Sequence, residues 1–373
     1  MIGKYNPEQY KKFRETLPAR RIRNTTLWVN DAFPLFRLKV GEEAPIGLFL
    51  TPKTSEVSEK DRGKKSVGQR IWEFIFGKDV FKEDRERNQT VSLEVLPEHR
   101  RSAIIGRAYF KDNEGRLYRD IDIKGIGYII RNSFGEMRVA NILRSGDMVY
   151  GLENREDAER DRDLSEKFVH AGIRSTRVIA IIQPHEIIID SEGKTISISI
   201  NEAKERGLIP EIYEPVLTVR AFGVKTRVNE QMDQSKKFFF LDDARRFVVL
   251  ELKRNEFSFK DYMEWFAETL GKNIGLMHSN GWAHAHLWPG YKRPSNVTLD
   301  CRIVDLNTVI GRAPDPQLFI ERSQEDLREA EMIIRQLYED LEPYLHPKVE
   351  LSFFHNLFLN TYRQVHQGGE VIP

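Results

Sequence analysis

The chain has 373 residues, and its 58 lysines and arginines balance 57 aspartates and glutamates to a formal net charge of +1. A hydrophobic fraction of 40% is enough for a packed core, and the balanced charge gives no electrostatic case for a nucleic-acid binder. A single cysteine, Cys301, excludes an intrachain disulfide framework and a cysteine-rich zinc site. No apolar run is long enough to span a bilayer, and the first residues carry no secretory apolar segment. A cytoplasmic α+β protein of roughly two or three domains, with no membrane partner, is expected.

Residues 1–50 are mixed, with a short apolar stretch at 46–50, and 51–70 are polar and charged in the manner of an exposed linker. An aromatic-rich segment follows at 71–81. From about residue 90 the pattern turns to strands, with one at 91–96 and a hairpin of 103–110 and 117–123 around Lys111-Asp112-Asn113-Glu114-Gly115. A charged helix is expected over 153–170, capped at Gly172. Further strands are expected at 178–182, 186–190, 195–200, 216–224 and 247–252. Beyond Lys253, Tyr262, Phe266, Leu270, Ile274 and Met277 recur at helical spacing until Asn280-Gly281, and two more helices are expected at 325–341 and 351–366. The boundaries so read are an N-terminal extension of unknown role at 1–90, a sheet-rich part at 91–253 and a helical part at 254–373.

The segment after Gly281 carries the densest chemistry, with His284, His286, Ser295, Asn296, Asp300 and Asp305 in an irregular loop and a short hairpin. A turn at Asp300 brings the Asn296 amide and the Asp305 carboxylate to one end, and both are hard oxygen ligands suited to Mg²⁺ held with substrate phosphates. This is the layout of a kinase catalytic loop followed by its metal-binding aspartate, and it is equally the layout of a β-hairpin with polar ends. A metal site on His284 and His286 needs a third ligand, for which His278 is the nearby candidate. Lys124 points away from the strand face of Ile121 and Ile123, either solvated or able to pair with a phosphate and with an acidic residue on the following helix. Arg220 and Arg227 flank a strand end, either as surface charge or as a forked clamp on a polyphosphate.

Taken together, these segments resemble the selenoprotein O family of kinase-like protein adenylyltransferases. Ile105-Gly106-Arg107-Ala108 resembles the family's glycine-arginine strand, and Ile123-Lys124-Gly125-Ile126-Gly127 its lysine motif. Asn141-Ile142-Leu143-Arg144-Ser145 and the run from Ser165 to Arg177 resemble two further segments. Arg227 follows Arg220 by seven residues and Asp305 follows Asn296 by nine, both family spacings. The likeness covers about residues 103–310. It implies a two-lobe protein-kinase-like fold, an antiparallel-sheet lobe followed by a helical lobe, with ATP and Mg²⁺ (or Mn²⁺) in the cleft. It further implies that Gly106, Arg107 and Gly135 lie near the nucleotide and that Lys124 positions it with Asp161, or failing that Glu166, as its partner. Arg220 and Arg227 would hold the terminal phosphate of an inverted ATP, and Asn296 and Asp305 would bind the metal.

The sequence departs from the family at the catalytic base. The aspartate expected directly before the asparagine is Ser295 here. Read against a phosphotransferase H-G-D-L-x-P-G-N pattern, the 284–290 segment instead places His286 at the aspartate position. General-base catalysis is worth about 10²- to 10⁴-fold, whereas phosphoryl chemistry rests more on positioning and charge neutralisation. Three activities follow as expectations: AMP transfer to a protein hydroxyl with His286 as substitute base, a nucleotide-binding pseudokinase acting as an interaction module, and an upright-ATP phosphotransferase.

Overall fold

A computed structural model describes residues 15–51, 90–96, 99–127, 129–131, 137–139, 151–191, 194–230, 234–284, 286–290 and 294–368. The linker and aromatic segment expected within 51–81 fall outside these residues apart from Thr51, as do Gly135 and the 141–145 motif. In chain order the elements are β1 (Glu15–Arg21), β2 (Asn24–Val29), β3 (Leu48–Leu50), β4 (Thr90–Leu96), β5 (His99–Lys111), β6 (Leu117–Lys124), β7 (Ile129–Arg131), β8 (Met137–Val139) and β9 (Glu153–Asn154). Helix α1 (Arg155–His170) precedes β10 (Arg177–Pro184), β11 (Glu186–Ser191), β12 (Lys194–Ser199), α2 (Ile200–Glu205) and β13 (Pro215–Phe222). Then come α3 (Gln234–Leu252), α4 (Phe259–Ser279), β14 (Trp282–Ala283), β15 (Ile310–Gly311), α5 (Pro316–Leu341) and α6 (Leu351–Gly368). The class is α+β, with a largely antiparallel sheet region followed by a helical region. No helix among the described residues is long and apolar enough to cross a membrane.

The chain forms two compact units. One holds the described residues up to Glu159 together with Val178–Ala221; the other holds Arg160–Arg177 and the described residues from Phe222 onward. This differs from the boundary expected near residue 253. The reason is helix α3: Phe240, Leu241, Ala244, Phe247 and Val248 are buried at helical spacing, and the run 247–252 taken alone cannot be told from a buried strand.

In the sheet unit, strands run β2-β10-β13-β6-β5-β4-β1-β3, with β9 added on β13. A second sheet runs β12-β11-β7-β8 and contains one parallel pair, β11 with β7. Residues 15–21, 24–29 and 48–50 are therefore part of this sheet. β1 pairs antiparallel with β4 (Leu17 opposite Leu93), and β2 pairs with β10 (Ala180 opposite Val29). Pro18 within β1 and the short length of β3 hide this in the sequence. Phe33 and Phe36, just after β2, pack edge-on against Phe110, and Phe33 does the same on Tyr118, with centroids 5.4–6.0 Å apart.

The hairpin expected around 111–115 forms as read. The Asp112 carboxylate accepts from the Glu114 and Arg116 amides, and Gly115 takes φ +82°. β6 and β13 are buried along their whole length.

In the helical unit, α4 opens with a capping box between Ser258 and Asp261, and α5 with Asp315 accepting from the Leu318 amide ahead of Pro316. α4 lies against α6 at Gly271 and Gly275, where a Cβ on Gly271 would sit 2.5 Å from the Phe358 carbonyl oxygen. Gly271→Ala should therefore force the two helices apart at a cost of about 1–3 kcal/mol. The check is the urea midpoint at unchanged m-value; an unshifted midpoint would mean that the contact is not tight.

Candidate functional site

Strand β6 sets the polar layout of the sheet unit. Side chains two apart share a face, so Asp120, Asp122 and Lys124 form a row, and all three are buried. Burying an unpaired charge is too costly to tolerate, so each has an opposite charge within its own unit. Asp122 receives a bidentate contact from Arg220 on β13, at 3.0 and 2.7 Å. Asp120 pairs with Arg119, its neighbour on β6, at 2.8 Å, and with Arg107 at 3.5 Å. Arg107 in turn grips Glu94 on β4 with both terminal guanidinium nitrogens at 2.5 Å. Gly106 lies where the β5–β6 register shifts, which accounts for a glycine there without a ligand.

Lys124 completes the row. Its Nζ lies 2.8 Å from Glu153 Oε1, with both side chains 2% exposed. The solvated-lysine alternative is thereby excluded. Glu153 is the partner of Lys124 within that unit, whereas Asp161 and Glu166, the residues expected from the resemblance, belong to the other unit. Glu153 sits on β9 beside β13, and a Cβ on Gly125 would meet Val216 O at 2.4 Å and Glu153 Cβ at 3.0 Å. The glycine beside Lys124 thus lets the chain close onto the glutamate's strand. Glu166 pairs with Arg177 at 2.7–2.8 Å. Asp161 Oδ1 accepts from the Asn307 amide at 2.6 Å, two residues beyond Asp305. Removing one member of a buried pair costs about 3–5 kcal/mol, because the other charge is stranded. Glu153→Ala should lose that much stability and Glu153→Ala with Lys124→Met markedly less, measured by denaturant unfolding; equal losses would argue against coupling.

The helical unit holds the loop and hairpin. Val304 N donates to Asn296 O at 3.0 Å and Thr298 N to Arg302 O at 3.0 Å, so Asn296 and Asp305 reach one end as expected. Asp305 takes a left-handed conformation, φ 59° and ψ 48°. His284 is fully buried: its backbone amide donates to Asp326 Oδ2 at 2.8 Å and its Nε2 lies 2.8 Å from Val304 O. A carbonyl only accepts, so Nε2 carries the proton. Burial lowers the His284 pKa, opposed by the Asp326 carboxylate and the Val304 carbonyl. His278 Nε2 faces Asp326 at 3.2 Å and its Nδ1 faces the Tyr362 hydroxyl at 3.1 Å. Both histidines are thus spent on protein partners, which removes them from the metal alternative. Among the described residues no group of three His, Cys, Asp or Glu is placed to hold a metal.

His286 is exposed, but its backbone surroundings are fixed. Its carbonyl accepts from Asn296 Nδ2 at 2.8 Å, and the Leu287 carbonyl accepts from Asn296 N at 2.8 Å. From α5, Glu329 Oε2 accepts from the Leu287 amide at 2.5 Å and the Trp288 amide at 3.1 Å. Ser295, at the family's base position, is fully buried with its hydroxyl donating to Val297 O at 2.9 Å. Of the two candidate base positions, His286 is exposed and Ser295 is buried.

A cation held by the Mg²⁺ ligand set that the resemblance implies, Asn296 and Asp305, would lie beside a guanidinium. Asn296 Oδ1 already accepts from Arg227 Nη1 at 2.7 Å. A cation bound about 2.1 Å from that oxygen would face a permanent positive charge a few ångströms away. At an effective dielectric of about 20, unit charges about 4 Å apart interact by about 4 kcal/mol, and a dication would meet about twice that as repulsion. Arg220 and Arg227 belong to different units, and each is buried against a partner of its own, so neither is surface charge.

Glu153, Asp122, Asp326 and Glu329 are residues that the sequence reading passed over. Asp326 left a signal: it interrupts the buried stripe Phe319, Ala330, Ile333 and Ile334 of α5 at helical spacing.

Burial raises the Glu329 pKa to about 7; the Trp288 and Leu287 amides pull it down, while Asp326 and Glu325 push it up. A carboxyl whose folded pKa is raised favours the fold fully below its ordinary value near 4.5 and loses that contribution as pH climbs to about 7. Stability should fall across that window in the wild type and stay flatter in Glu329→Gln. A carboxyl ¹³C titration midpoint near 4.5 would refute the raised value.

No family model and no curated protein matches the chain. Among solved structures, the kinase domain of a Toxoplasma gondii specific rhoptry antigen is similar at 8% identity and TM-score 0.35, over 76% of this chain and 84% of that one. A likeness of that degree carries no argument about activity.

Proposed function

We propose that this chain is a kinase-like nucleotide-binding protein that does not transfer, a pseudoenzyme in which binding serves interaction with other proteins. The observation that carries this is the state of Asn296. Its carbonyl is taken by Arg227 and its amide by the His286 carbonyl, while the carboxylate expected before it is a buried serine turned to Val297 O. The kinase-like element of the reading is supported by the Lys124–Glu153 pair in one unit and, in the other, by the order His284, His286, Asn296, Asp305 with the left-handed Asp305. A strand lysine paired with a glutamate, and a catalytic loop followed by an aspartate, are the parts a kinase uses to hold ATP.

A second reading, AMP transfer, is favoured by the exposed His286 on a backbone held from two sides. There the acceptor hydroxyl would attack the α-phosphate, His286 would take its proton, and pyrophosphate would leave. The inverted-ATP clamp that motivates this reading has weaker support, because Arg220 and Arg227 are engaged by Asp122 and Asn296.

The test is calorimetric binding of ATP and ADP beside paired incubations with α-³²P-ATP and γ-³²P-ATP, using wild type and Asp305→Ala. Binding with no label on any protein is expected. Label from the α-phosphate alone, lost in the variant, would replace the proposal with AMP transfer; γ-label alone would replace it with phosphotransfer. Failure to bind either nucleotide would overturn it.

A further inference from the structure

We propose that the helical unit carries a saccharide site in a cleft along the last two turns of α1, separate from the loop and hairpin and independent of the nucleotide reading above. The cleft measures about 570 Å³, within the range of about 300–1,000 Å³ that small-molecule sites occupy. Asp163, Glu166, Lys167 and His170 line it from α1. Their i, i+3, i+4 and i+7 spacing puts them on one helix face over about 10.5 Å. Asn280, at the end of α4, and Trp282, on β14, complete the lining, and all six residues lie in the same unit.

Trp282 supplies an apolar plate. Its backbone pairs with Gly311, and its ring lies 5.2 Å from that of the buried Phe168 at an interplanar angle of 33°. A plate fixed in this way needs little ordering when a ligand stacks on it. The polar groups beside it offer donors and acceptors together. The Lys167 ammonium and the Trp282 indole N–H have no partner among the described residues. Asp163 has a second carboxylate oxygen besides the one that accepts from Arg162 at 2.7 Å. His170 Nδ1 lies 2.7 Å from the Glu166 carbonyl oxygen, so Nδ1 carries the proton and Nε2 is left to accept. Asn280 Nδ2 donates to Leu276 O at 2.8 Å, which leaves Oδ1 to accept. The Glu166 carboxylate is already matched by Arg177.

Carboxylates and an ammonium interleave along the helix face, which opposes a phosphate beside Asp163 and Glu166 and a polycation beside Lys167. A hydroxyl donates and accepts at once. A sugar ring carries several hydroxyls and also presents C–H groups to the face of an indole. A neutral saccharide therefore uses the plate, the donors and the acceptors in one ligand.

The test labels the full chain with 5-fluorotryptophan, assigns the Trp282 ¹⁹F resonance with W282F, and titrates glucose, galactose, mannose, maltose and cellobiose. Inorganic phosphate and lysine serve as charged probes. A saturable shift of the Trp282 resonance with at least one sugar is expected. Its midpoint should rise about tenfold in D163A and in K167M, each of which removes a charged hydrogen-bonding partner. Both substitutions fall at exposed positions, and thermal denaturation confirms that each variant is folded. Three results would overturn the proposal: no sugar moves the Trp282 resonance, phosphate or lysine moves it at lower concentration than any sugar, or the sugar midpoint is unchanged in either variant.

Discussion

Charge taken out of water must meet charge, and the polar architecture of both units follows from that constraint. Strand β6 carries Asp120, Asp122 and Lys124 into the interior of a sheet. Their partners come from β5, β13 and β9 as well as from β6 itself, so ion pairs tie neighbouring strands where apolar packing would leave register less defined. The Lys124–Glu153 contact is the end of that row. It gives the glycines at 125 and 127 a structural reason: a Cβ on Gly125 would strike Val216 and Glu153, and one on Gly127 would strike Gly151.

The helical unit answers the same constraint differently. One buried carboxylate, Asp326, serves His278 and the His284 amide, while Glu329, one turn further along the same helix, holds the Leu287 and Trp288 amides. The side chain of Asn296 holds the loop from the opposite side. A loop anchored at successive peptide groups loses little entropy when its side chain meets a ligand, and pre-organisation of this kind is what binding sites gain from rigid supports. His286 is presented on such a support, which is compatible with proton transfer and equally with contact to an anion.

The Arg227–Asn296 contact bears most directly on activity. Kinases neutralise phosphate charge with metal ions held by an asparagine and an aspartate. In the proposed reading, Asn296 stands at that asparagine's place, and the guanidinium bound to it is a positive charge supplied by the chain itself. Such an arrangement suits holding a nucleotide more than driving its cleavage.

Much was legible in the sequence because it is local. The 103–123 hairpin, the Gly172 stop, the α4 stripe and the Asn296-to-Asp305 hairpin depend on turn chemistry and periodicity within about twenty residues. Partner identity was not legible. Lys124 meets Glu153 because β9 adds to β13 beside β6, and no local pattern encodes that addition. Helix α3 was misread over 247–252 because a short apolar run looks alike in a strand and a buried helix, and β1 was missed because Pro18 masks it. The sequence by itself determined which side chains bear charge and where the chain turns. Only the tertiary structure decided which charges meet, since pairing between strands distant in the chain is set by sheet order and burial, and that decision gave Asn296 to an arginine.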